Sequence, residues 1–260
     1  MARTPPPGLP AALLWDVDGT LAETELDGHR QAFNRAFADA QLPWRWDRST
    51  YLELLRISGG RERMAHFLEQ VEGRAPAADR LVALQAAKQR HYAALLQGGA
   101  IRPRPGVRRL LTAAAQAGIP QAIVTTSGRS AVAALVAALV PPLLPAEVFA
   151  FWVCGEDVAC KKPDPEGYRR ALEQLGCPAE RAVAIEDSAN GVAAARAAGL
   201  PVLAARSVSS AHEPDHAFAA ANAVSDGLGE PDQPCRLIRG PACPTGCITL
   251  SYLQQLLPSP

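Results

Sequence analysis

The chain has 260 residues, enough to bury a full core, and its twenty-six basic and twenty-six acidic residues cancel. That balance lacks the electrostatic footprint of a nucleic-acid-binding domain, so no nucleic-acid partner is expected. The opening MARTPPPGLP has no apolar signal segment, and the longest apolar run, Ala131 to Val140, stops at Pro141 and Pro142, too short for a bilayer; a cytoplasmic monomer without a membrane partner is the expectation.

In chain order, Ala11 to Val17 is a short apolar run followed by Asp-Gly-Thr, the pattern of a doubly buried strand that ends in a turn. The period then changes. Leu26, Arg30, Phe33 and Phe37 recur at helical spacing, and Leu52 to Leu55, Met64 to Val71 and Ala77 to Leu96 read as helical too. Residues 22–97 are therefore expected to form a helical insert, closed by Gly98 and Gly99.

Past the insert a helix is predicted over Val107 to Gln116, then a buried strand in QAIVTTSG, a helix from Ser130, and a strand near Val148 to Val153. A helix around Pro165 to Leu175, the strand RAVAIEDS, a helix over Asn190 to Ala198 and the strand PVLAA complete the alternation. Such alternation predicts an α/β fold, a doubly wound parallel sheet covered on both faces, with the core over 9–21 and 98–230 and a C-terminal extension over 231–260.

In such sheets ligands bind beyond the carboxyl ends of the strands. The polar residues falling there are Asp16 and Asp18, Thr125 to Ser127, and Glu186 with Asp187, while Lys161 and Lys162 lie in the loop after the strand that ends near Val153. Converging carboxylates repel one another unless they are protonated or share a cation. Mg²⁺ suits them, since it takes one or two carboxylates plus water and a substrate phosphate. Asp16, Asp187 and the backbone carbonyl of Asp18 are candidate ligands, with Glu186 direct or through water.

An ionised Asp16 can attack phosphorus, and Asp18, two residues on, can protonate the leaving oxygen and later deprotonate water. The transferred group needs donors and a positive point charge. The Thr125 hydroxyl and the N–H groups of Thr126 and Ser127 can supply the donors, and Lys162 the charge. Arginine is this chain's ordinary cation; Lys88, Lys161 and Lys162 are its only lysines, which makes the adjacent pair conspicuous.

D-x-D-G-T after a strand, an apolar strand ending in Thr, a Lys-Pro loop and E-D-S-x-x-G, in this order, resemble the four motifs of the haloacid dehalogenase superfamily. The resemblance covers residues 9 to about 228 and implies a Mg²⁺-dependent phosphatase. The insert resembles the cap of the β-phosphoglucomutase-like branch. DVDGTLAETE, HRQAFN, WRWDRSTYLELL and SGGRER are similar to the CbbY-type phosphatases, which that family associates with removing xylulose-1,5-bisphosphate, an inhibitory by-product of carbon fixation. The resemblance implies that Glu25, His29, Tyr51, Gly60 and Arg61 contact the sugar or its distal phosphate. Arg61 and Trp15 depart from the lysine and phenylalanine expected there. A sugar phosphomutase, or a non-catalytic binding module on the same scaffold, remains the alternative.

The tail falls outside the resemblance. His212 with His216 and Cys243 with Cys247 have the spacing of a four-ligand zinc site, and Cys235, Cys243 and Cys247 could instead form a redox-sensitive pair.

Overall fold

Four apolar runs, β1 (Ala12–Trp15), β2 (Gln121–Val124), β4 (Ala182–Glu186) and β5 (Val202–Ala205), are buried along their whole length. They read as continuous hydrophobic stretches because helices cover both faces of the sheet. The computed structural model describes residues 8–99, 101–139 and 148–258. With β3 (Phe151–Val153), β6 (Ala223–Ser225) and β7 (Leu237–Arg239) they form one sheet in the order β3-β2-β1-β4-β5-β6-β7. All neighbours are parallel except β6 and β7.

Alternation sends Leu13, Trp15, Ile123, Val183, Ile185 and Leu203 into one hydrophobic cluster. Ala12, Leu14, Val124, Ala184 and Val202 enter the other, on the opposite face. The helices are α1 (Arg30–Asp39), α2 (Arg48–Leu54), α3 (Gly60–Glu72), α4 (Ala78–Gln97), α5 (Val107–Gln116), α6 (Arg129–Leu139), α7 (Glu166–Leu175), α8 (Ala189–Ala197) and α9 (Leu250–Gln254). The first four make the insert, whose own core holds Phe33, Phe37, Trp46, Tyr51, Met64 and Leu68. Chain crossings between insert and sheet are marked by bridges of Ala22 with Asp18 and with Pro103.

β1 lies between β2 and β4, with Trp15 level with Ile123 and Ile185. The residues just beyond that level, Asp16, Val124 and Glu186, are therefore side by side at the carboxyl edge. Strand order reverses at β1, which opens a crevice there.

Three expectations change. β6 and β7 were not foreseen, because three-residue strands carry too short a pattern to read. The segment 231–260, expected as a C-terminal extension, packs on the core: β7 extends the sheet, and Ile248, Tyr252, Leu253 and Leu256 are buried in the main cluster. The strand predicted near Val148 begins at Phe151. Val140, Pro141 and Pro142, and residues 1–7, lie outside the described residues. Among those described, no helix is long and apolar enough to cross a membrane.

Candidate active site

Asp16 stands directly after β1, its N–H still bonded to Ile185 at 3.0 Å, so the ladder fixes the carboxylate's position. Lys162 reaches it from the loop before α7. Its Nζ donates to Asp16 Oδ1 at 2.7 Å, to the Val124 carbonyl at 2.7 Å and to Glu186 Oε1 at 2.6 Å, so all three ammonium protons are used. Tyr168 also donates to Glu186 and lies 5.3 Å beneath the ammonium. Burial lowers the Lys162 pKa, but Asp16 and Glu186 outweigh it and drive it up.

One ammonium cannot neutralise three carboxylates. Asp16, Glu186 and Asp187 each offer an oxygen within 4.8 Å of the others, and all three are buried. Burial pushes Asp16 up to about 7, with Glu186 adding to it and Lys162 opposing it. Burial and the neighbouring Asp16 carry Asp187 well above the usual carboxylate range, although Ser207 donates to its Oδ2 at 2.6 Å. Glu186 Oε2 is buried with no hydrogen-bond partner. This all-oxygen set fits a hard divalent cation, which would let Asp16 and Asp187 ionise together. Gly19 makes the approach possible: its φ is +85°, and a Cβ there would fall 2.2 Å from Asp187 Oδ2.

Asp18 faces another way. Its Oδ1 accepts from Thr24 at 2.5 Å and meets His29 Nε2 at 2.8 Å, and its Oδ2 accepts from the Ser127 hydroxyl. Burial raises its pKa, yet His29 and these hydrogen bonds overcome that and hold it well below the carboxylate range. His29 is sandwiched further: Lys88 Nζ lies 2.8 Å from its Nδ1, and Tyr92 stacks at 4.1 Å. Burial brings Lys88 down to about 8.

Asp16, Asp18, Thr125, Thr126, Lys162 and Asp187 line one cleft of about 280 Å³, and Glu25, Arg56, Ser58 and Arg63 form its insert-side wall. Glu25 accepts from Tyr51, and Arg63 donates to the Tyr51 hydroxyl at 3.1 Å and the Leu54 carbonyl at 3.1 Å.

Several expected contacts are absent from this wall. Arg61 is exposed and does not line the cleft, whereas Arg63 is buried and does; α3 starts at Gly60, and two residues of helix turn one side chain roughly 200° from the other. Gly60 is also off the lining. Tyr51 and His29 are buried behind it, supporting Glu25 and Asp18. The N–H of Ser127 is engaged by Thr125 Oγ1 at 3.1 Å rather than free for a phosphate. Glu186 does not line the cleft; its Oε1 accepts from Lys162 and Tyr168 while its Oε2 is left without a partner. His212 lines the cleft, but the only possible metal cluster among the described residues is the carboxylate one, so His212 and His216 do not join Cys243 and Cys247. All six cysteines are free.

Sequence reasoning passed over Thr24, Lys88, Tyr168, Ser207 and Arg104. Arg104 is buried and donates to the carbonyls of Gly19, Ala205, Arg206 and Asp226, pairing also with Glu23 at 3.2 Å. It fastens the aspartate loop to the ends of β5 and β6. Only Lys88 had a visible signal, its rarity as a lysine.

Residues 10–199 match the haloacid dehalogenase-like hydrolase family, a stretch that contains Asp16, Asp18, Glu25, Lys162 and Asp187 of the cleft. The chain belongs to that family. It is a hydrolase of the phosphatase kind. It is 44% identical over 220 residues to Protein CbbY of Cereibacter sphaeroides, covering 84% of this chain and 93% of the relative. A plasmid-borne Protein CbbY of Cupriavidus necator is 40% identical, with 86% and 87% covered. Among solved structures, a mutant CbbY of Rhodobacter sphaeroides crystallised with xylulose-1,5-bisphosphate superimposes with a TM-score of 0.79 at 42% identity, covering 86% of this chain and 96% of that one.

Proposed function

We propose that this hydrolase removes a phosphoryl group from a phosphorylated sugar, a bisphosphate such as xylulose-1,5-bisphosphate, with Mg²⁺ and through an aspartyl-phosphate on Asp16. The observation that carries the reading is the pairing of two walls across one cleft. One wall holds Asp16, Lys162 and Asp187, and the other presents Arg56 and Arg63, guanidinium groups suited to a second phosphate. The likeness to a CbbY that binds xylulose-1,5-bisphosphate supports the same substrate class.

Asp16, Asp187 and Glu186 would hold the Mg²⁺, with the Asp18 carbonyl as a further oxygen. When bound, the ion supplies positive charge to the phosphate oxygens and keeps the carboxylates ionised. Asp16 Oδ1 is held by Lys162, and the other oxygen attacks phosphorus as the bond from phosphorus to the sugar oxygen breaks. Thr125 and Lys162 stabilise the charge on the transferred group. Asp18 gives its proton to the departing oxygen, then takes one from the water that splits the aspartyl-phosphate into inorganic phosphate and free Asp16. Donation requires Asp18 to be protonated, and its present donors favour the ionised form. Separation from His29, Thr24 and Ser127 therefore comes before its acid role.

Incubating the protein with xylulose-1,5-bisphosphate and Mg²⁺ tests this. Release of inorganic phosphate that stops with a chelator is expected; an isomerised sugar phosphate without released phosphate would make it a mutase, and no product from a broad panel of sugar phosphates would end the reading.

A further inference from the structure

Lys161, next to Lys162, has no part in the proposed reaction. Its Nζ lies 2.6 Å from Glu62 Oε1, across 99 positions of sequence, joining the loop that carries Lys162 to the first turn of α3 in the insert. A second link runs beside it. Asn190, in the first turn of α8, donates to the Arg56 carbonyl at 3.2 Å and the Ser58 hydroxyl at 3.3 Å.

Among the described residues, these are the only side-chain hydrogen bonds between residues 30–97 and residues 101–258. Both land on one short segment, 56–62, whose Arg56 and Ser58 line the cleft. The opposite side of the insert is joined differently: Tyr92 and Leu96 of α4 sink into the main hydrophobic cluster of the sheet. One flank is thus an apolar contact and the other a polar clasp.

Gly59 shows how closely the clasp is built. Its φ is +91°, and a Cβ there would fall 2.2 Å from Glu62 Oε2 and 2.6 Å from Lys161 Nζ, so the pair closes directly over bare backbone.

We propose that Lys161 is a positioning residue: its ion pair with Glu62, aided by Asn190, docks segment 56–62 onto the loop carrying Lys162 and so sets the closed population of the insert. The Lys161 and Glu62 side chains are 20% and 47% exposed, which makes the pair weak and readily broken. A clasp that must release in each turnover needs that property. Its loss lowers the fraction of molecules competent to bind, which raises KM and leaves kcat nearly unchanged once substrate itself holds the insert shut. The kinetic part of this inference rests on the phosphatase reading above; the docking part does not.

The test is a charge-swap cycle of Lys161→Glu, Glu62→Lys and the double variant, read by two measurements. Hydrogen exchange of the substrate-free protein follows the amides of residues 56–63, and initial rates with xylulose-1,5-bisphosphate give KM and kcat. Each single variant is expected to exchange several-fold faster in that segment and to raise KM about fivefold, with kcat within twofold and the double variant returning towards wild type. Single variants that exchange like wild type, or a double variant no better than the singles, overturn the clasp. If wild-type protein fails to hydrolyse the bisphosphate, the functional reading falls and the exchange cycle alone decides the docking.

Discussion

The sheet is packed with Leu, Ile, Val and Ala, whereas the insert closes on Phe33, Phe37, Trp46 and Tyr51, with Trp46 4.7 Å from Phe33 and 5.0 Å from Phe37. The sheet also buries charge, and its carboxylates meet a lysine within 2.7 Å; the insert buries Arg63 beside a tyrosine hydroxyl and Lys88 beside the His29 ring. Small aliphatic side chains let strands and helices approach closely enough to hold reacting atoms in fixed register. A few large rings fill a small helical unit with little chain. The contrast fits the proposed function, with chemistry at the sheet edge and substrate recognition in a unit that has its own core.

The division is broken most directly at Asp16. Asp16→Asn is expected to reduce phosphate release by about three orders of magnitude or more while the circular dichroism spectrum stays native. Activity close to wild type would show that no covalent step passes through residue 16.

Lys162→Met should be nearly as severe, lowering kcat about 10²- to 10³-fold. It also strands Asp16 and Glu186 without their cation, so calorimetry should show a loss of about 3–5 kcal/mol unless Mg²⁺ is added. Lys162→Arg should not restore turnover, because a planar fork cannot make the three converging bonds of an ammonium.

Trp46→Ala sharpens the other half of the comparison. Removing that ring should cost about 3–5 kcal/mol, confined to the insert, so thermal unfolding should split into two transitions with the sheet melting last. A single transition shifted as a whole would mean that the two cores are one cooperative unit.

The smallest effect is a pH-dependent stabilisation by Mg²⁺. Folded Asp16 titrates at about 7 against an ordinary 3.8, so between those values the native state holds more protons than the unfolded one, and stability falls as pH rises. Asp187 shifts in the same direction. Mg²⁺ competes with those protons, so its effect on Tm should be small near pH 5 and grow by several degrees towards pH 8. Equal shifts at both pH values would place the ion elsewhere.

What was readable in the sequence was whatever a strand end implies by itself. Asp16, Thr125, Lys162 and Asp187 were legible because each follows an apolar run or sits in a proline-stiffened loop, and a parallel sheet gathers all such ends on one edge. Arg63 was not separable from Arg61, since the choice depends on the residue where α3 begins. His29, implied by the resemblance to contact substrate, lies between Asp18 on one side and Lys88 on the other, partners that no local pattern announces.

The sequence by itself therefore determined the fold class, the family and the gathering of Asp16, Asp18, Asp187 and Lys162 at one edge of the sheet, through local patterns whose period and order survive without coordinates. Tertiary structure alone decided the rest: Arg104 spans 85 to 122 positions to reach its carbonyls, β7 pairs with β6, and Lys161 finds Glu62 across 99. Those partners are brought together by how helices and strands pack, and no short-range spacing encodes a contact that only the packed chain creates.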